Sequence, residues 1–367
     1  MLGIYIHVPF CKRKCPYCDF YSVAENRELI ERYVSAVCRN LDAYSEKNIS
    51  ADTVYFGGGT PSLLTAEQME KIVLSADKNF NLCSPEITVE ANPCSVDLQK
   101  LSDYRKAGIN RISFGVQSAD DTQLKFLGRL HDFSMAENAV ENSLKAGFEN
   151  ISCDIMLGLA GQSLDSLEQS LNILAEMPIK HISAYMLKIE EGTPFDNDKI
   201  RKSVADDDLL CDMYLRTVEI LDEKGFAQYE ISNFAKENYR SRHNLKYWHG
   251  EEYIGIGPAA HSFFENERYC CPKNVCDFID SDLQGREVLE VSPDRLEEYI
   301  MLNLRLTDGI KFEKIKKESD ENFLQRLVKK ALLYEKNGLC AVSDAGISLT
   351  PKGFLVSNDI IEEFIDC

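Results

Sequence analysis

Three cysteines within eight positions, Cys11, Cys15 and Cys18, carry the strongest chemical signal in this 367-residue chain. They lie in YIHVPFCKRKCPYCDF, residues 5–20, with the spacing C-x3-C-x2-C. Three thiolates on one short loop can each bind one iron of a 4Fe-4S cube and leave the fourth iron open to a ligand, whereas a purely electron-carrying cluster normally takes four cysteines. Zinc accepts the same thiolates in a tetrahedral shell, and His7 could complete that shell. Tyr5, Tyr17 and the run Gly57-Gly58-Gly59 ahead of Thr60-Pro61 have no role in a zinc knuckle, which favours the cluster. The glycines permit positive φ and close backbone approach to a ligand; their plainest reading is a tight turn.

Further polar residues interrupt apolar stretches: Glu90, Gln117, Arg129 and Asp154. Taken singly, each reads as a capping or surface residue. The segment HNLKYW places His243 beside Tyr247 and Trp248, the chain's only tryptophan. An imidazole with aromatic walls suits a porphyrin iron, and the same residues suit a core anchor with a turn-capping histidine. Cys270, Cys271 and Cys276 would form a second metal site only with a fourth ligand, which no nearby residue supplies. Cys38, Cys83, Cys153 and Cys211 read as small core residues.

Elements to position these groups are visible as alternating β-branched apolar segments and helical periods. Strands are expected at 3–8, 53–57, 86–91, 111–117, 151–157 and 181–187. Helical spacing recurs between them, as in Leu29, Tyr33, Val37 and Leu41, or Leu164, Leu167, Leu171 and Leu174. Six βα units imply a parallel sheet with its active site in the loops that follow the strands, which is where the cysteine loop, Gly58, Gly59, Thr60, Glu90 and Gln117 fall. Residues 1–200 form this unit. Residues 201–290 read as a smaller α+β region packed on it, and 291–367 as a helical, winged-helix-like domain.

The formal charge of −19 argues against sequence-independent nucleic-acid binding, and the last eleven residues carry four acids and no base. Thirteen cysteines, an odd number in a long chain, point to reduced thiols. Met1 leads straight into an apolar strand-like segment without a basic region or cleavage site, so a cytoplasmic location is expected.

The cysteine spacing resembles the radical S-adenosylmethionine (SAM) superfamily, which implies SAM chelated at the open iron and an open (βα)6 partial barrel. YIHVPFC, GGGTP, ISFGVQS and GLAGQS are similar to the oxygen-independent coproporphyrinogen III oxidase family over about residues 1–310. By that resemblance Tyr5, Tyr17, Gly58, Gly59, Thr60, Glu90, Gln117, Arg129 and Asp154 contact SAM. Phe20 stands where the oxidase has a further cysteine, and only four residues precede Tyr5 where it has a long arm. Ala160 replaces a usual proline. Cys18-Asp19-Phe20 and His243-Asn244-Leu245-Lys246-Tyr247-Trp248 resemble the HemW-type haem chaperones instead. That resemblance implies haem binding, tied to His243, Tyr247 and Trp248, and delivery to a haem-accepting protein, for which a membrane-associated acceptor is one option. The alternative is the oxidase activity itself. Neither the acceptor nor the oligomeric state is specified.

Overall fold

The structure, a computed structural model, describes residues 1–281 and 285–367. Six parallel strands neighbour one another in chain order: β1 (Leu2–Val8), β2 (Ala51–Gly58), β3 (Glu86–Ala91), β4 (Arg111–Gln117), β5 (Asn150–Leu157) and β6 (His181–Met186). Each expected strand falls within two residues of an observed one at either end. Helices α1 (Arg27–Asp42), α2 (Ala66–Phe80), α3 (Leu98–Lys106), α4 (Phe133–Lys145) and α5 (Leu164–Glu176) make the crossovers. Asn26, Thr65, Asp97, Asp132 and Ser163 start them, each side chain accepting a hydrogen bond from an otherwise unpaired backbone N–H in the first turn.

The strands alternate with period two, and the alternation separates two chemistries. Ile4, Ile6, Val54, Phe56, Ile87, Val89, Ile112, Phe114, Ile151, Ile155 and Ile182 are buried in one apolar core with the helices. The intervening residues form the other face: Tyr5, Tyr55, Glu90, Arg111, Ser113, Asp154, His181 and Ser183. Register carries this polar face across the strands, with Tyr5 opposite Tyr55, Thr88 opposite Arg111, Glu90 opposite Ser113, and Asp154 opposite Ser183. The barrel is therefore greasy outside its sheet and polar within.

The strands of region 201–290 lengthen the barrel sheet at both edges. Helix α6 (Asp207–Glu223) leads to β7 (Ala227–Gln228) and β8 (Asn233–Ala235), of which β8 pairs antiparallel with β6. After α7 (Arg242–Trp248), β9 (Tyr253–Ile256) pairs parallel with the opposite edge strand β1. Strands β10 (His261–Phe264), β11 (Glu267–Cys270) and β12 (Glu287–Val291) follow antiparallel, giving the order β12-β11-β10-β9-β1-β2-β3-β4-β5-β6-β8-β7. The six parallel strands thus stay open. Beyond them, α8 (Arg295–Asn303), β13 (Ile310–Lys311), α9 (Phe312–Glu318), α10 (Glu321–Lys336), β14 (Cys340–Val342), β15 (Gly346–Leu349) and α11 (Ser357–Ile365) complete the chain. Its three strands, ordered β13-β15-β14, give the winged-helix-like arrangement expected.

Among the scattered cysteines Cys153 is buried as expected, Cys38 and Cys211 are half-buried, and Cys83 is exposed in the turn after α2. Cys83 is the departure: the chain leaves the helix there through a left-handed Asn81 and turns outward. Among the described residues no helix is long and apolar enough to cross a membrane.

Candidate functional site

The cysteine loop leaves the C-terminal end of β1 and is held on several sides. Phe10–Cys11 pairs with Val23–Ala24, which closes the loop on itself. The Gly59 N–H donates to Val8 O at 2.9 Å and the Thr60 N–H to Phe10 O at 2.8 Å. Any Cβ on Gly59 would come within 2.8 Å of both Val8 O and Phe10 O, and one on Gly58, at φ +104°, within 2.5 Å of the His7 ring. These two glycines let β2 close against the base of the loop. The His7 ring in turn donates through Nε2 to Tyr21 O at 3.1 Å and accepts through Nδ1 from Tyr5 Oη at 3.0 Å, so both ring nitrogens are committed to holding the loop. On the far side Arg13 donates to Gly128 O at 2.5 Å, and the Phe195 N–H donates to Pro16 O at 3.2 Å.

All three thiols are half-buried. Thr60 Oγ1 donates to Cys11 Sγ at 3.6 Å, and Arg129 Nη1 lies 3.6 Å from Cys15 Sγ and 3.5 Å from Tyr17 Oη. Hydroxyl and guanidinium donors directed at sulfur are what a thiolate requires. Burial raises the Cys18 thiol, against a hydrogen bond from the Phe20 backbone. Among the described residues no three thiol, imidazole or carboxylate groups converge as ligands of one ion. A zinc knuckle needs such convergence, whereas a cube receives each thiolate at a different iron. Of the other cysteine group, Cys270 is half-buried, Cys271 is buried with its thiol on Gly255 O, and Cys276 is exposed.

Below the loop the polar face supplies two carboxylates. Glu90 accepts hydrogen bonds from Tyr55 Oη at 2.8 Å and Gly58 N at 3.2 Å. Burial pushes its carboxyl up to about 7, the Asp154 charge adding to the effect. Asp154 accepts from Ser113 Oγ at 3.2 Å, and burial pushes it up to about 6 against the pull of Ser183 and Arg111. Two buried carboxyls raised in this way favour a cationic ligand, whose charge would offset the cost of their ionisation. Arg129 anchors through Nη2 to Gly115 O at 2.8 Å, while its buried Nε has no hydrogen-bond partner among the described residues. Gln117 closes β4 in a left-handed conformation, φ 71°, at a register break. Such strain in a non-glycine residue gathers at functional sites. The donor set and the orphaned guanidinium nitrogen fit a 4Fe-4S cluster with SAM beside it.

The structure does not bring His243, Tyr247 and Trp248 to this mouth. Helix α7 covers the other end of the barrel, where Arg242 and Lys246 both reach Asp52 at 2.9 Å at the start of β2. The His243 ring is 1% exposed, its Nδ1 bonded to Thr53 Oγ1 at 2.8 Å and its Nε2 to Tyr247 Oη at 2.8 Å. It stacks on Tyr55 with centroids 5.1 Å apart. Burial, aided by the Lys246 charge, pushes its pKa down to about 3. Both ring nitrogens are spent on the fold, so in this conformation His243 offers none to an iron.

Sequence reasoning missed Tyr55, Ser113 and Arg111. Arg111 is 1% exposed, with Nε and Nη1 unpartnered, and lies within the field of Glu86, Tyr55, Tyr229 and Asp154. The signal was available: polar residues at every second position in strands flanked by apolar ones.

Two family models match, the "Radical SAM superfamily" over residues 5–174 and the "HemN C-terminal domain" over 292–356. "Heme chaperone HemW" of Bacillus subtilis is 34% identical, the alignment covering 100% of this chain and 99% of that protein. The chain belongs to the HemW family. The HemW of Escherichia coli is 40% identical over 71% of this chain and 69% of its own. Among solved structures, "Coproporphyrinogen III oxidase (HemN) from Escherichia coli is a Radical SAM enzyme" superposes with a TM-score of 0.83 at 21% identity, covering 99% of this chain and 89% of that one. That likeness shows the shared fold alone. Membership of HemW, within the radical SAM superfamily, implies a 4Fe-4S cluster and SAM.

Proposed function

We propose that this protein carries haem and delivers it to an acceptor protein, with a 4Fe-4S cluster on Cys11, Cys15 and Cys18 and SAM in the barrel mouth. The observation that carries the reading is identity of 31–40% to several proteins named haem chaperones, most of them aligned over nearly the whole chain. When bound, the cluster and SAM supply one-electron chemistry at the mouth of the barrel. The chain's residues do the rest. Thr60 and Arg129 stabilise the thiolates by donating to sulfur. Arg129 has a free donor for the SAM carboxylate, the fork geometry of guanidinium suiting it. Glu90 and Asp154 accept from the amino group or ribose hydroxyls and ionise as that cation arrives. Tyr5, Tyr17, Gly58, Gly59, Thr60 and Gln117 line the same mouth and shape the pocket.

The test is transfer. Haem-loaded, cluster-reconstituted protein is mixed with haem-free myoglobin, and the two are separated by size. Haem leaving with the acceptor faster than from haem-loaded serum albumin supports the reading; haem retained by the chain overturns it.

A further inference from the structure

The cysteine loop presents more than its thiols. Lys12, Arg13 and Lys14 fill the gap between Cys11 and Cys15, and all three are exposed. None of them lies within ion-pair distance of a carboxylate among the described residues. Asp19 is the only acid of residues 11–20, which leaves the loop a surplus of two positive charges in a chain of −19. Lys100 on α3 adds to the field of Lys12 and is itself balanced by Asp97 and Glu25. Arg13 is pinned, its guanidinium donating to Gly128 O at 2.5 Å and to Arg129 O at 3.4 Å, which fixes the middle of the run and leaves Lys12 and Lys14 in solvent. Phe20, two residues past Cys18, is 66% exposed and is the most exposed aromatic ring among the described residues. Its backbone N–H donates to the Cys18 thiol, and the Lys14 charge acts on the same sulfur.

Unpaired cations beside an exposed ring have the composition of a protein-docking face, in which the charges steer and the aromatic anchors. Salt screens charges beyond about 8 Å at physiological ionic strength, so a partner reaching the loop meets its local surplus and not the charge of the whole chain. Position decides what kind of partner the face serves. The basic run is bracketed by Cys11 and Cys15, at the end of the barrel opposite α7, so a protein seated on it lies against the rim of the cluster site. One-electron chemistry at that rim needs a source of electrons, and the surplus of positive charge selects an acidic one.

Resting on the three-cysteine cluster of the haem-carrier reading, we infer that Lys12, Arg13, Lys14 and Phe20 form the docking face for a small acidic electron-carrier protein that reduces the cluster. One electron leaves the carrier's flavin hydroquinone anion, which becomes the neutral semiquinone, and enters the cluster; no bond breaks and no proton moves. The probe is a bacterial flavodoxin, an acidic protein holding one flavin mononucleotide, mixed with the anaerobically reconstituted full chain. Calorimetry with oxidised flavodoxin reads docking, and stopped-flow absorbance with its hydroquinone reads cluster reduction. Wild type should bind with an affinity that falls steeply as salt rises. Lys12→Glu with Lys14→Glu should weaken binding and slow reduction by about tenfold or more at low salt, and lose most of the salt dependence. Phe20→Ala should weaken binding about fivefold and keep that dependence. Lys316→Glu with Lys317→Glu, the same charge change on α9, should alter neither. Iron content, and reduction by photoreduced 5-deazariboflavin, a neutral small molecule, should be equal in all four proteins, which separates docking from damage to the cluster. If the Lys12 and Lys14 double variant does not differ from wild type in binding or reduction, the face is wrong and the cluster stands. If it is reduced normally but hands haem to haem-free myoglobin more slowly, the loop serves the haem acceptor and the inference falls. If wild type reconstitutes no cluster, both fall.

Discussion

Replacing Glu90 by glutamine tests the electrostatics of the barrel in the chain free of cluster and SAM. Burial and the Asp154 charge raise the Glu90 carboxyl from an ordinary 4.5 to about 7. The native state therefore holds this proton more tightly than the unfolded chain. Its contribution to stability is full below the unfolded value and is lost as pH rises through the native one. At about 1.4 kcal/mol per tenfold change in proton affinity, ionised Glu90 costs the fold on the order of 3 kcal/mol near pH 8. Glutamine removes the charge, but its amide can accept from only one of Tyr55 and Gly58, a loss of about 1 to 2 kcal/mol. Urea denaturation should find Glu90→Gln more stable than wild type by about 1 to 2 kcal/mol near pH 8, and no more stable near pH 5. A difference between the two proteins that stays constant across that range would refute a raised carboxyl. The same substitution should weaken SAM, because the charge that costs stability in the empty barrel is the charge a cation needs.

Cys15→Ala should lose the broad visible absorbance and reconstitute with far fewer than the roughly four irons per chain expected of a cube, read by iron assay. Arg129→Ala should lower SAM affinity by about 1 to 3 kcal/mol in calorimetry and leave the fold intact, since the guanidinium bonds only Gly115 O and, in the cysteine loop, Cys15 Sγ and Tyr17 Oη among the described residues. His243→Ala should cost on the order of 2 to 4 kcal/mol in denaturation, as it strands Thr53 and Tyr247 and empties a packed site.

The barrel was legible because its strands repeat one rule: apolar residues face the helices and polar residues face inward. Cys11, Cys15 and Cys18 were legible from spacing, and Glu90 and Asp154 from carboxylates placed in apolar strands. Edge strands were not. β7 to β12 span two to five residues each, and β9 pairs with β1 some 250 positions away, a partnership that no local period encodes. The role of His243 was hidden for a similar reason, since one of its partners, Thr53, lies on β2, 190 positions away. The other was within reach: Tyr247 is four residues on, the helical spacing at which side chains meet.

Haem titration of the anaerobically reconstituted protein, followed in the Soret region, tests the central claim most directly. The account predicts saturation near one equivalent and, in the same preparation with SAM and reductant, coproporphyrinogen III left unconverted. A rise that never saturates, together with release of two carbon dioxides per coproporphyrinogen, would contradict it and make the protein an oxidase.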